Sequence, residues 1–470
     1  MSKSIRKASR PSRRRFLKGA AAIAAPLVVP SSVLGLGGRT APSDRVTVGY
    51  IGVGGMGTAH LKVDTQNPGA QIVAVCDVFA SKRERARKLV EDAYVAQKRT
   101  GRHNGVSAYR DFRELLARPD VDGVVIAPLH YWHTVMAVMA AQAGKSVYVE
   151  KMCAVTLGEA QALSGAVKRH GVVFQHGTQG RSMPSFRHAA ELVRNGRIGK
   201  VRRAEITCLR PFVVHPGPHG PVGAWTNSAR TVPVPDGFDW DLYLGPCPWK
   251  PYTGNLETGG FMFGMLADFA SHTVDSAQMV LGMDGSGPVE FCPGGTGGYK
   301  KMTFRYANGV EVTSPANPND PEINDFGIRV IGTEGTIGVS RGGCWVRPAH
   351  LDRRPVGPDE WHINPNVAEW VGSAASNVVA SNTRKGPRAE ANTAGVGAHK
   401  TNWLHCIRTG QKTNAHEDIG RRSASACVLV DMARVLGRPL RWDPQKEQIV
   451  GDEEGTRLWD YPKRTPWQAY

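Results

Sequence analysis

Six residues near the front of the chain, Gly52-Val53-Gly54-Gly55-Met56-Gly57, limit what it can fold into more than any other feature. They form a G-x-G-x-x-G in a telling context. Arg45–Ile51 (RVTVGYI) reads as a buried strand before them, and Thr58–Val63 reads as a helix after them. Glycines there permit a tight turn and let the backbone approach a pyrophosphate at the helix N-terminus, where unpaired N–H groups favour an anion. A second strand, Gln71–Cys76, ends in Asp77, 20 residues after Gly57. That spacing suits a carboxylate accepting from adenosine ribose hydroxyls and favours NAD. Lys82 and Arg83 lie close enough to admit a 2′-phosphate, so NADP stays open.

The alternation continues. Asp111–Leu116, Thr134–Ala143 and Ala154–Lys168 read as helices; Asp122–Ala127, Ser146–Glu150 and Val172–Gln175 read as strands. This predicts an α/β fold beginning with a Rossmann-type, doubly wound parallel sheet. Ligands in such sheets sit beyond the carboxyl ends of strands. Three segments fall there: the glycine turn, Pro128–His133 and Glu150–Met152. After residue 180 the pattern changes. Strands are expected at Val201–Leu209, Lys301–Tyr306, Val310–Thr313, Gly327–Ile331 and Thr336–Ser340, with hairpins at Asn308-Gly309 and Gly332–Gly335. That implies a C-terminal α+β domain with an open, mostly antiparallel sheet. Residues 211–260 and 371–398 lack periodicity and read as loops, the first framing a substrate cleft. The expected organisation is a signal segment (1–40), a dinucleotide-binding domain (44–180) and a substrate and oligomerisation domain (181–470).

Charge bears on partners. The chain of 470 residues carries +18, but nine of its 59 Lys and Arg lie in residues 1–39, where no acid occurs. The remainder is only mildly basic, and Lys82–Lys88 reads as a solvated helix face, so no nucleic-acid partner is indicated. Ser12-Arg13-Arg14-Arg15-Phe16-Leu17-Lys18 matches a twin-arginine export pattern. The apolar stretch after it, Ala20 to Leu36, contains Pro26 and Pro30 and is too short for a comfortable membrane span. The expectation is recognition by the export machinery and a periplasmic or extracytoplasmic location, with the signal either cleaved or kept as an anchor. Twin-arginine substrates cross the membrane folded, so a nicotinamide cofactor would be loaded first and held tightly. The eight cysteines include no Cys-x-x-Cys, and no metal site is expected.

These pieces resemble the glucose–fructose oxidoreductase / inositol dehydrogenase family (Gfo/Idh/MocA) from about residue 44 to the C-terminus. The matching residues are the glycine turn, Asp111–Leu116, Pro128 with Tyr131-Trp132-His133, and Gly144-Lys145-Ser146-Val147-Tyr148-Val149-Glu150-Lys151. Gly177-Thr178-Gln179, Asp268-Phe269-Ala270-Ser271-His272 and Ile331-Gly332-Thr333-Glu334-Gly335 continue the match. The resemblance implies a homo-oligomer, NAD (or NADP) as cofactor and a carbohydrate substrate. One departure is Met152, where the family usually has Pro after Glu-Lys.

By the resemblance, Lys151 lies on the nicotinamide side, where an ammonium binds a hydroxyl and steadies an alkoxide. Asp268 and His272 are four apart, so a helix over Phe263–Met279 would put both on one face, His272 taking the hydroxyl proton and Asp268 bonding the substrate or tuning the site, which with Lys151 makes the expected catalytic set. The expected cofactor-binding residues are Gly52, Gly54, Gly55, Met56, Gly57, Asp77, Pro128, His133, Glu150 and Lys151. Arg181 is a candidate substrate ligand beside Asp268 and His272, and Trp225, Trp240 and Trp249 are candidates for stacking on a sugar ring. His60 reads as mainly structural, and Asp275 as structural or as a support behind the substrate-binding residues. Three functions fit: an oxidoreductase acting at a CH–OH of a sugar or polyol, an NAD-dependent glycoside hydrolase working by transient oxidation of a ring hydroxyl, and a non-catalytic sugar-binding relative. Lys151, Asp268 and His272 argue against the third.

Overall fold

The computed structural model describes residues 41–97, 105–208, 230–254, 256, 265–296, 298, 300–317, 320–323, 326–352, 360–362 and 388–470; at 42, 265–269 and 388–394 it describes backbone alone. The twin-arginine segment at 12–18 and Trp225 lie outside these residues.

The first half alternates strand and helix. Its elements are β1 (Val46–Ile51), α1 (Gly55–Gln66), β2 (Ala70–Cys76), α2 (Ala80–Ala96), β3 (Ser107–Tyr109), α3 (Phe112–Leu116), β4 (Gly123–Ile126), α4 (His130–Gln142), β5 (Ser146–Glu150), α5 (Leu157–His170) and β6 (Phe174–Gly177). The six strands lie in the order β3-β2-β1-β4-β5-β6, all parallel. β2, β4, β5 and β6 are buried at every position, as expected of a sheet covered on both faces. Helix ends follow local chemistry. The Thr156 hydroxyl accepts from Glu159 N at the start of α5, and Gly171, at φ 63°, ends it. α4 begins four residues earlier than the sequence suggested, which puts His133 inside its first turn rather than before it.

A short 3-10 turn (Gln179–Ser182) leads into the second half. Its elements are α6 (Pro184–Arg194), β7 (Val201–Ile206), α7 (Trp240–Leu244), α8 (Met265–Val280), β8 (Pro288–Cys292), β9 (Thr303–Tyr306), β10 (Glu311–Thr313), β11 (Ile328–Gly332), β12 (Thr336–Ser340), β13 (Gly343–Arg347), α9 (Arg388–Thr409), α10 (Glu417–Leu436), β14 (Leu440–Asp443), β15 (Gln448–Ile449) and α11 (Glu453–Arg457). Nine strands run β13-β12-β11-β7-β10-β9-β8-β14-β15, antiparallel except between β7 and β10. Helices α6, α8 and α10 contribute Phe186, Val274 and Leu429 to the core against this sheet. Both predicted hairpins are present, as β9–β10 and β11–β12. The expectation of a loop through residue 398 fails, because α9 starts at Arg388. Beyond the stretch read as loop, α9 carries Trp403 and Leu404 into the core beside Tyr50 and Tyr148 of the first sheet. Among the described residues, no helix is long and apolar enough to cross a membrane.

Two pieces of the second half return to the first sheet. Residues 237–243 lie along the end of β2: Ala80 N donates to Gly237 O, Asp239 N to Val78 O, and the rings of Phe79 and Phe238 stack 4.1 Å apart. Trp132 Nε1 and the Tyr131 hydroxyl donate to the carbonyls of Leu242 and Tyr243. The C-terminal Trp467 packs edge-on against Trp132, their centroids 4.7 Å apart.

Candidate active site

Steric need fixes two of the glycines. Gly52 has φ +81°, and a Cβ there would lie 2.5 Å from Pro128 N; one on Gly57 would lie 1.9 Å from Gly52 O. The turn therefore closes only without side chains. Gly54 and Gly55 differ, since a Cβ on either would meet nothing within 4 Å. They face a cavity of about 330 Å³, together with Gly52, Met56, Asp77 and Pro128. No side chain caps the N-terminus of α1, so its first N–H groups remain as anion donors.

Asp77 serves the turn as well as the cavity. Its Oδ2 accepts from Val53 N and its Oδ1 from Phe79 N, each at 2.9 Å. A carboxylate oxygen can accept more than one hydrogen bond, so ribose hydroxyls remain acceptable partners. Phe79, Lys82, Arg110, Leu242 and Tyr243 complete the wall. Sequence reasoning did not identify Phe79, Arg110, Leu242 and Tyr243 as site residues. Leu242 and Tyr243 arrive from a segment with no periodic signal. Uncapped N–H groups, a carboxylate at the end of β2 and glycines opening on a cavity fit a dinucleotide.

A second cluster forms at the end of β5. Glu150 is 3% exposed. Its Oε1 accepts from His60 Nε2 at 2.7 Å and from Gln179 Nε2 at 2.8 Å, and Lys151 N lies 3.3 Å from its Oε2. Its carboxylate is held by protein partners, and Glu150 is not part of the wall of the glycine-turn cavity. Burial disfavours its charge, but His60, His272 and Lys151 outweigh that and hold the carboxyl well below the usual range. Lys151 directly follows β5, and His272 lies on α8. The His272 ring, 9% exposed, meets Phe326 edge-on at 5.2 Å. The side chain of Asp268 lies outside the described residues, although its backbone is in α8.

The peptide between Lys151 and Met152 is cis. The segment after Lys151 is tied to α4. His133 Nδ1 contacts Met152 O at 2.6 Å, and the Thr134 hydroxyl donates to Cys153 O at 2.8 Å. Burial, with the field of His130 second, pushes His133 down to about 3, so the ring is neutral and Nδ1 carries the proton it donates.

Arg181 departs from its expected role as a substrate ligand. It is 3% exposed and makes four hydrogen bonds inside the protein, to the carboxylate and carbonyl of Asp275 and to both oxygens of Asp284. Burial works against the guanidinium's charge, but these two carboxylates outweigh it and raise its pKa. Asp275 also accepts from the Ser423 hydroxyl at 2.6 Å. Trp240 is buried, with its ring stacked on Tyr243 and its N–H on Lys250 O, so it is not available to a sugar. Trp249 is 61% exposed.

Comparison with known proteins agrees with this architecture. Residues 46–178 match the oxidoreductase family GFO_IDH_MocA, NAD-binding Rossmann fold, and residues 222–335 and 388–469 match its C-terminal alpha/beta domain. The uncharacterized oxidoreductase YrbE of Bacillus subtilis is 29% identical over 167 residues, which are 36% of this chain and 45% of YrbE. An alpha-N-acetylgalactosaminidase of Shewanella oneidensis is 32% identical over 173 residues, 33% of this chain and 37% of that protein. The chain thus matches less than half the length of these curated relatives. A levoglucosan dehydrogenase solved with NADH and levoglucosan superposes with TM-score 0.53 at 19% identity, over 83% of this chain and 96% of that one. With both domain matches in place across one fold, the chain belongs to the Gfo/Idh/MocA oxidoreductase family, whose first domain binds NAD.

Proposed function

We propose that the chain transfers hydride at a CH–OH of a sugar or polyol, using an NAD that stays bound through turnover. The observation that supports this reading is the placement of Lys151 directly after β5, two strands from β1 and its glycine turn, in a chain whose first domain matches an NAD-binding Rossmann fold. Gly54, Gly55 and the N-terminus of α1 would hold the pyrophosphate, and Asp77 the adenosine ribose. NAD, when bound, would accept the hydride, and because it is retained a second substrate, a sugar carbonyl, would have to take that hydride back to complete each turnover. Lys151 donates a hydrogen bond to the reacting hydroxyl and steadies the oxygen as negative charge develops. His272 takes the hydroxyl proton as the C–H bond breaks, and Asp268 orients a neighbouring hydroxyl. Export by the twin-arginine route, read from residues 12–18, explains why the cofactor would be retained: outside the cytoplasm there is no supply to exchange with.

A second reading, redox-neutral glycoside hydrolysis, is favoured by the match to the alpha-N-acetylgalactosaminidase. There the hydride would be borrowed from a ring carbon and returned after the aglycone leaves. One experiment separates the two. Purified protein is offered aryl glycosides and free sugars, and Lys151→Met is run beside it. A lasting rise at 340 nm with a free sugar selects the oxidoreductase. Aglycone release without net change at 340 nm selects the hydrolase. Lys151→Met should abolish either activity while still binding NAD, and retained turnover in that variant would sink both readings.

A further inference from the structure

Sequence alone made His60 a structural residue, but its partners give it a longer reach. It sits on α1, three residues beyond the last glycine of the turn, and is 1% exposed. Its Nε2 lies 2.7 Å from Glu150 Oε1. A carboxylate only accepts, so Nε2 carries the proton and donates. The same oxygen accepts from Gln179, whose amide also donates to the Tyr148 hydroxyl at 2.9 Å. One buried carboxylate therefore joins three elements: the helix of the glycine turn, the end of β5 and the 3-10 turn after β6. The residue that follows Glu150 is Lys151.

We propose that His60 is a positioning residue which, through Glu150, fixes Lys151 relative to the helix that holds the pyrophosphate. The role rests on the hydride-transfer reading of Lys151. A dinucleotide spans the distance from the glycine turn to the reacting carbon, so the two ends of the site must keep one separation. The sheet sets that separation coarsely. The His60–Glu150 bond sets it finely, because it ties the first turns of α1 to the last residue of β5 through groups that cannot turn to water. Losing one donor leaves a buried carboxylate short of partners, and the cheapest relief is movement of Glu150 and of the lysine after it. Displacement by about 1 Å at a reacting group can cost on the order of 100-fold in rate.

Two conservative variants separate this role from a merely structural one. The amide nitrogen of Gln reaches roughly where histidine Nε2 lies, whereas that of Asn falls near Nδ1. His60→Gln therefore keeps a donor to Glu150, and His60→Asn withdraws it. Three quantities are measured on the full chain: NAD affinity by titration, hydrogen exchange of the peptide covering 146–156 with NAD bound, and kcat and KM on the substrate found for the wild type. His60→Gln should stay within about three-fold of wild type in all of them. His60→Asn should exchange about ten-fold faster at 151–155 and lose about ten-fold or more in kcat, with NAD affinity and KM within about three-fold. If His60→Asn does not fold, Gln179→Met, which removes the other donor to the same oxygen, should show the same pattern. Wild-type exchange and kcat in His60→Asn would overturn the proposal. So would loss of NAD affinity in proportion to kcat, or a His60→Gln as impaired as His60→Asn. A wild type without turnover on any substrate would refute the hydride-transfer reading instead, and exchange and NAD affinity would still decide the role of His60.

Discussion

Replacing Arg181 by Met separates a structural role from substrate binding. The side chain is 3% exposed and bridges Asp275, which is fully buried, and Asp284, whose side chain is 28% exposed. In Arg181→Met, Asp284 can turn toward water. Asp275 cannot, and among the described residues it keeps the Ser423 hydroxyl on its other oxygen. Removing one partner of a buried ion pair typically costs about 3–5 kcal/mol, because the remaining charge is left without compensation. Asp275 should account for most of that, and a neighbouring neutralisation at Asp284 would add little. The assay is urea unfolding at pH 7, followed by intrinsic fluorescence, with kcat and KM on the folded variant. The expected result is a clearly lower midpoint at similar slope, with KM unchanged within about two-fold. An unchanged midpoint together with a KM raised about ten-fold would refute the reasoning and return Arg181 to the substrate.

Two further outcomes follow from buried groups. Gly57→Ala should weaken NAD binding by about ten-fold or more with a smaller loss of stability. Its Cβ would lie 1.9 Å from Gly52 O, so the turn must open; NAD titration of the folded variant checks this, and wild-type affinity would contradict it. Stability should fall as pH drops from about 6.5 toward 4. Burial lowers His133 to about 3 and His176 and His399 to about 4, below the unfolded value, so the unfolded chain binds more protons in that window and acid favours it. Unfolding midpoints measured across pH 4 to 8 test this, and a flat profile below about pH 6.5 would contradict it.

The first half of the fold was legible because its signals are local. RVTVGYI, the glycine turn and the helix after it are contiguous, and a parallel sheet needs the alternation that the chain displays. Lys151 could be placed at a strand end for the same reason. What escaped was decided at long range. Arg181 looks like any polar residue after a turn, and its second carboxylate, Asp284, lies 103 residues away. Glu150 ends a strand buried on both faces, where the apolar–polar alternation that would reveal its direction is missing. The direction instead follows from His60, 90 residues earlier. The start of α9 sets Ala residues among Asn392, Thr393, Gly395 and Gly397, which weaken helix propensity, and the buried Trp403 and Leu404 farther along tie the helix to the first sheet. Leu242 and Tyr243 form cavity wall only because residues 237–243 fold back along β2.

The central claim is that this chain is built around a retained NAD. The direct measurement is to purify it from cytoplasmic expression without added nucleotide, denature it, and identify and count what is released. About one NAD or NADH per chain, held through gel filtration, is the predicted result. Protein that emerges empty and binds no nicotinamide nucleotide on titration would contradict the account.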